Sequence, residues 1–381
     1  MNLKEGEIEL SKLYLDLWKQ DEYISIIARF EFSELHTDNF SFCLGNGFEI
    51  ENIYNENENI AYNCMEKELE FRGIVQKVVV EKFEGNELIV EYKGWVNAYH
   101  SLNEKDILAV NFYSAWYPVE SSVNLVIYNV RVHLDDTFFV IKAKYNNQKN
   151  WDYKPLDFDC NIIAIKNYCV MKDEKLSVYY FGENNVQLAK PYFNNYSDIV
   201  NFYCVLYKSS KMIKNDIVFL PKGNKYDGYK RKELIVFGGF REDYEICIHL
   251  LAHEIAHNWC QGAKANSWED WLNETTAEWS ALLYLLEKER EELVESSIKY
   301  RVDNCENTPS MKTDDGSRPQ GVHDKGVVLF YKIYKKYEAE VIRKLLCIFY
   351  NLEKKDTQNY IDAINKVLPE VTEMITGGII E

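Results

Sequence analysis

The chain has 381 residues, 46% of them hydrophobic and 14% aromatic, which is enough to build two packed domains and too apolar for a disordered protein. Its 61 acidic residues against 44 basic ones leave a formal charge of −17, which argues against a phosphate-binding surface and hence against nucleic acid as a partner. No apolar run approaches the roughly 18 residues of a membrane span, so no membrane partner is expected either.

The opening MNLKEGEIELSKLY lacks the apolar core of a signal peptide. Nine cysteines are scattered without a C-x-x-C pair, and the number is odd. A reduced, cytoplasmic protein is the expectation, with Cys260 read as a buried free thiol rather than a ligand. In the first seventy residues a helix is expected near Leu10 to Trp18, followed by mixed strand and loop. From Phe71 to Tyr168 the chain is dense in short alternating runs such as IVQKVVVEKF, ELIVEYKGWV and VNLVIYNVRVHL, separated by Asn, Gly, Asp and Lys clusters. These place a β-sheet domain over residues 1–186. The rhythm breaks at ENNVQLAKPYFNNY, and a second domain is expected over residues 187–381. It begins with a helix from Ser197 to Tyr207 and strands at Asp216 to Leu220 and Glu233 to Gly238. Helices are then expected from Asp243 through the central motif and at Thr275 to Glu292, Lys325 to Tyr337, Ala339 to Leu352 and Thr357 to Val367. Asp303 to Gln320 reads as a polar loop.

The chemistry concentrates in IHLLAHEIAHNWCQGAKANSWEDWLNETTAEW, Ile248 to Trp279. His253-Glu254-Ile255-Ala256-His257 is an H-E-x-x-H pattern, and on a helix residues four apart share a face. Two imidazoles can then converge on one metal ion while Glu254 stands beside a metal-bound water. A catalytic zinc takes three protein ligands and leaves a fourth position open. Glu274, in Trp271-Leu272-Asn273-Glu274, is placed on a second helix to supply the third after a spacer of 16 residues. His249 extends the row to i, i+4, i+8, a span of about 12 Å at 1.5 Å per residue, too long for one ion. It reads as a structural histidine.

HEIAHNW followed by WLNETTAEW resembles the gluzincin zinc metallopeptidases of the aminopeptidase N family, with a spacer two residues shorter than is typical there. Trp116-Tyr117-Pro118 and His323-Asp324-Lys325-Gly326 extend the resemblance more weakly. It implies an α+β protein, with a saddle-like N-terminal β-rich domain followed by a thermolysin-like, mainly helical catalytic domain, and no room for the C-terminal helical domain of longer members. It implies one catalytic Zn2+ on His253, His257 and Glu274, a peptide substrate, and Glu254 as the base that takes the water's proton and passes it to the leaving amine. Asn273 belongs to the family's motif and is expected to support the ligands. Glu278, one turn after Glu274, either hydrogen-bonds a ligand histidine and fixes its tautomer or is a solvated helix charge.

Two departures stand out. The family's Y-E-K-G places a tyrosine at the oxyanion, and the matching residue here is His323, either a transition-state stabiliser or a surface histidine, with Tyr331 the weaker substitute. The family's acidic anchor for a substrate α-ammonium falls where this chain has Gly228-Tyr229-Lys230-Arg231-Lys232-Glu233, which is basic and would repel it. Two readings follow: a zinc-dependent peptidase of small or unstructured peptides, aminopeptidase-like in its chemistry, or an inactive zinc-binding scaffold that holds peptides. Oligomeric state leaves no mark in the sequence.

Overall fold

The computed structural model describes residues 10–56, 58–69, 72–96, 98–155, 159–221, 228–305 and 308–380. The chain divides into two compact units, Met1–Cys169 with Leu220–Asn224, and Val170–Phe219 with Lys225–Glu381. The first crossing falls ahead of residue 187, because strands Tyr168–Lys172 and Leu176–Phe181 pair with strands of the second unit.

The first unit is β-rich. Its largest sheet has seven strands, with Ser11–Lys19 at the centre between a parallel neighbour, Leu125–His133, and an antiparallel one, Ile24–His36. Ser11–Lys19 corrects the helix expected near Leu10 to Trp18. Leu13, Leu15 and Leu17 are buried at every second position, the period of a strand, and a helical face would need spacings of three and four. Phe30, Phe40, Phe42, Tyr92 and Trp116 help fill the core of this unit.

The second unit carries a five-stranded sheet in the order Tyr168–Lys172, Leu176–Phe181, Asn215–Phe219, Leu234–Phe237, Gly228–Arg231. Three of these run parallel, and Gly228–Arg231 returns antiparallel as the edge. The short runs NDIVF, buried but for Asp216, and LIVF, fully buried, suit a parallel sheet covered by helices. Seven helices accompany it among the described residues: α1 Val186–Leu206, α2 Tyr244–Ala256, α3 Trp271–Glu287, α4 Glu291–Cys305, α5 Val322–Asn351, α6 Thr357–Val367 and α7 Pro369–Ile380. Helix α1 starts well before the expected Ser197. Pro191 lies inside it and removes one amide donor without ending it. The expected Thr275 to Glu292 is in fact α3, a turn, and the start of α4, and α4 takes the first residues of the expected polar loop. Helix α5 turns sharply at Glu338 (φ 62°, ψ −175°), between the two helices read from the sequence.

Helix α3 is the spine of this unit. Nearly every residue from Trp271 to Leu285 is buried, with the polar Asn273, Thr276, Glu278 and Ser280 held in hydrogen bonds, and the helix packs against both α2 and α5. The approach of α5 depends on Gly326. A Cβ there would lie 1.9 Å from Thr275 Oγ1 and 3.3 Å from the Trp271 ring.

Candidate metal centre

Helix α2 starts at Asp243, whose carboxylate accepts from the amides of Glu245 and Ile246, the usual way of satisfying otherwise orphaned N–H groups. From this start His249 and His253 fall four residues apart inside the helix, and His257 follows at its C-cap, still in helical conformation. On the facing α3 and the short turn before it, Asp270, Glu274 and Glu278 also recur every fourth residue. A histidine row thus meets a carboxylate row running the opposite way. His249 Nε2 lies 2.8 Å from Glu278 Oε1, His253 Nε2 3.4 Å from Glu274 Oε2, and His257 Nε2 3.8 Å from Glu274 Oε1.

His253, His257 and Glu274 each offer a ligand atom, all within 4.8 Å of one another. The rings are fixed from behind. His253 Nδ1 pairs with Glu278 Oε2 at 2.9 Å, and His257 Nδ1 pairs with the Cys260 carbonyl at 3.1 Å. With Nδ1 engaged outward in both rings, Nε2 is the nitrogen that faces Glu274 and the one a metal would take in place of a proton. The electrostatics agree with a cation at this point. Burial works against charge on His253, yet its hydrogen bonds to Glu274 and Glu278 pull it well above the usual imidazole range. Burial likewise opposes ionisation of Glu274, yet the charges of His323, His257 and His253 hold its carboxyl well below the usual range. The residues fit a zinc ion in ligand type, number and orientation.

Behind these three side chains Glu278 is 2% exposed and accepts from four side chains. Besides His249 and His253 these are Arg301 Nη2 of α4 at 2.8 Å and Ser297 Oγ at 3.3 Å. Burial opposes its charge, and Arg301 with His249 and His253 holds it far below the ordinary carboxylate range nonetheless. Among the described residues, Asn273 hydrogen-bonds to the Ala263 backbone and Asp270 rather than to an imidazole. It clasps the chain after α2, donating to the Ala263 carbonyl and accepting from the Ala263 amide, both at 3.0 Å, and donates to Asp270 Oδ1 at 2.9 Å. Glu254 is buried at 6% exposed on α2, between the two histidines in sequence. Cys260 is a buried free thiol against Tyr207 Oη at 2.9 Å.

His323 opens α5, with Nδ1 3.7 Å from Glu274 Oε2 and Nε2 3.2 Å from Asp270 Oδ2. Three neighbours of the site escape a reading of the motif alone: Asp270, Arg301 and Arg318. Asp270 had a signal, since it lies four residues before Glu274 on the same face. The two arginines come from α4 and from the loop before α5 and have none. Lys230 and Arg231 lie on the edge strand Gly228–Arg231, which packs against α2.

No protein-family model matches the chain, and no curated protein sequence matches it. Solved structures do. An M1 zinc metallopeptidase from Deinococcus radiodurans matches over 99% of this chain and 94% of its own, at 12% identity and a TM-score of 0.65. The fold is that of the M1 zinc metallopeptidases. The native leukotriene A4 hydrolase of Saccharomyces cerevisiae matches over 97% of this chain and 66% of its own, at 13% identity and a TM-score of 0.64. A mutant of the Deinococcus radiodurans M1 enzyme bound to a Tyr-Ser-Ala substrate matches over 98% and 94%, at 11% identity and a TM-score of 0.62. What this chain shares with them is the α+β architecture, a β-rich N-terminal part followed by a mainly helical one. No helix among the described residues is long and apolar enough to cross a membrane.

Proposed function

We propose that the protein is a zinc metallopeptidase that hydrolyses peptide bonds in small or unstructured peptides. One observation carries the reading: His253, His257 and Glu274 converge with both imidazoles anchored through Nδ1, on a fold shared with M1 zinc metallopeptidases. The Deinococcus radiodurans relative bound to a tripeptide supports a peptide as the ligand class. Zinc at these three residues would acidify a water and polarise a peptide carbonyl. Glu254 takes a proton from the attacking water onto its carboxylate and delivers it to the leaving amine nitrogen. Glu278 keeps His253 in the tautomer that presents Nε2, and Asn273 keeps the Ala263 turn against α3, which carries Glu274. His323 donates a hydrogen bond toward the substrate carbonyl oxygen as charge builds on it.

Capture of a free α-ammonium would need an acidic anchor beside the site. The edge strand against α2 offers Lys230 and Arg231 instead. A free amino terminus is therefore not required, and an N-acetylated peptide should be cleaved as readily as its free counterpart. Nine free cysteines suit a reducing compartment, and we place the protein in the cytoplasm.

The test is metal analysis together with hydrolysis of a fluorogenic peptide library, free and N-acetylated. One zinc per chain, turnover, and a loss of about 10²–10⁴-fold in Glu254→Gln are expected. Undiminished turnover in Glu254→Gln would remove Glu254 as the base. Stoichiometric zinc with no turnover of any peptide would leave a binding scaffold.

A further inference from the structure

The first unit holds a cavity of about 540 Å³, inside the range of small-molecule sites. Every residue that lines it belongs to this unit, which carries none of the metal-centre residues. Its wall is mainly apolar, made by Tyr117, Pro118 and Val119 and by the first residues of strand Leu125–His133. The turn between strands Tyr62–Leu69 and Gly73–Val80 sets one cation against that wall, Arg72. Arg72 Nε donates to the Phe112 carbonyl at 2.9 Å, and Cζ lies 3.7 Å from the centre of the Phe112 ring. These two contacts fix the plane of the guanidinium. They leave Nη1 and Nη2 with neither a hydrogen-bond acceptor nor a carboxylate partner among the described residues. Glu120, which also lines the cavity, is taken by Lys67 Nζ at 2.7 Å. Burial pulls Arg72 below its ordinary pKa, and the neighbouring Tyr117, Glu120 and Asp159 offset that only in part.

We propose that this cavity binds an organic monocarboxylate with an apolar body, and that Arg72 takes the carboxylate. A part-buried charge without a counter-ion is costly, and an incoming anion relieves it. The two Nη groups present parallel N–H donors whose spacing matches the two oxygens of a carboxylate. Charge decides between anions. Arg72 is the one cation among the described lining residues, and Lys67 nearby is spent on Glu120. A phosphate dianion would therefore be half-compensated and would face Glu120 and Asp159, whereas one negative charge is what Arg72 balances. The apolar wall selects further, since acetate would leave most of it wet, while an aryl, alkyl or short peptide body covers it. Ser121 also lines the cavity. Its Oγ accepts from the Val123 amide at 3.2 Å and keeps its own O–H to donate. Such a carboxylate is carried by the C-terminus of a short peptide and by a free aryl or alkyl acid, and the same contacts hold either. The site needs neither zinc nor Glu254, so it stands apart from the peptidase reading.

The experiment is isothermal titration of the full chain in a chelator, so that no probe is cleaved. The probes are N-acetyl-Leu-Phe and 4-phenylbutyrate, each as the free acid and as the amide, and inorganic phosphate. At least one free acid is expected to bind at one site per chain with a Kd below about 1 mM. Its amide should bind at least about tenfold more weakly to the wild type. Arg72→Gln should weaken the acid about 10–100-fold, as the loss of a charge-assisted hydrogen bond does. Arg72→Lys, which keeps the charge and loses the fork, should fall between the two. The tighter of the two acids names the source of the carboxylate. The comparison of acid with amide is made on the wild type, so it decides the matter even if Arg72→Gln fails to fold. Acid and amide binding alike, phosphate binding as tightly as the better acid, neither acid binding below about 1 mM, or a folded Arg72→Gln with wild-type affinity each overturns the proposal.

Discussion

Replacing Glu278 by Gln removes one negative charge from a group that is 2% exposed and leaves its volume in place. The carboxylate holds Arg301 Nη2 at 2.8 Å, His249 Nε2 at 2.8 Å and His253 Nδ1 at 2.9 Å. A glutamine offers one acceptor oxygen, and its NH₂ faces donors that it cannot satisfy. Losing two charge-assisted hydrogen bonds at about 1.5–3 kcal/mol each brings the cost to about 3–6 kcal/mol, close to the roughly 3–5 kcal/mol for removing one partner of a buried ion pair. Arg301→Gln should cost less, because Glu278 keeps both histidines, and the double substitution should cost well under the sum. The assay is urea unfolding in the presence of a chelator for the wild type, the two single variants and the double variant, read as a double-mutant cycle. Zinc affinity should fall about 10–100-fold in Glu278→Gln, because His253 loses the acceptor that orients it. A Glu278→Gln protein within 1 kcal/mol of wild type, or strictly additive single variants, would refute the reasoning, since either means that the charge is solvated rather than enclosed.

The same carboxylate gives a pH dependence. Its folded pKa is held far below the unfolded value of roughly 4.5, so its stabilisation is complete above that pH and lost as pH falls through the depressed value. The gap in stability between wild type and Glu278→Gln should therefore be widest near neutrality and narrow on acidification, as followed by urea midpoints across pH. Zinc added to about 100 times its Kd should stabilise the wild type by about 2.7 kcal/mol in thermal melts, and His257→Ala should abolish that gain. Gly326→Ala should destabilise by about 1–3 kcal/mol and lower kcat, because a Cβ 1.9 Å from Thr275 Oγ1 forces α5, with His323, away from α3. Chemical denaturation and peptide turnover of that variant check both effects.

The fold class was legible because each unit announces its own period. Strand alternation runs through the first unit, and spacings of three and four recur around His253 and after Trp271. The errors fall where a local cue was overruled. Leu10 to Trp18 carries good helix formers, but Leu13, Leu15 and Leu17 need a buried face every second residue, and the neighbouring strand Ile24–His36 supplies it. A helix is expected only from Ser197, yet the burial of Ala189, Tyr192 and Tyr196 keeps α1 helical from Val186 on, through Pro191.

At the site, the residues that converge on α2 and α3 were legible because both stretches repeat at four residues, and helices repeating in step can face each other along their length. That logic reaches further than the H-E-x-x-H pattern. His249 is too far along α2 to share an ion with His257, but it lies where the carboxylate row needs a partner for Glu278, and the two meet at 2.8 Å. Asp270 extends the carboxylate row past the last histidine of α2, so its partner has to come from elsewhere in the chain. It comes from His323 and Arg318, about fifty residues on, brought there by a helix whose approach depends on Gly326. Sequence spacing can show that Asp270 faces inward, but it cannot show what Asp270 faces, because that contact is made by packing between α5 and α3. The His323 side of the site therefore depends on the α3–α5 interface, and a change at Gly326 should disturb it while leaving the histidine row of α2 in place.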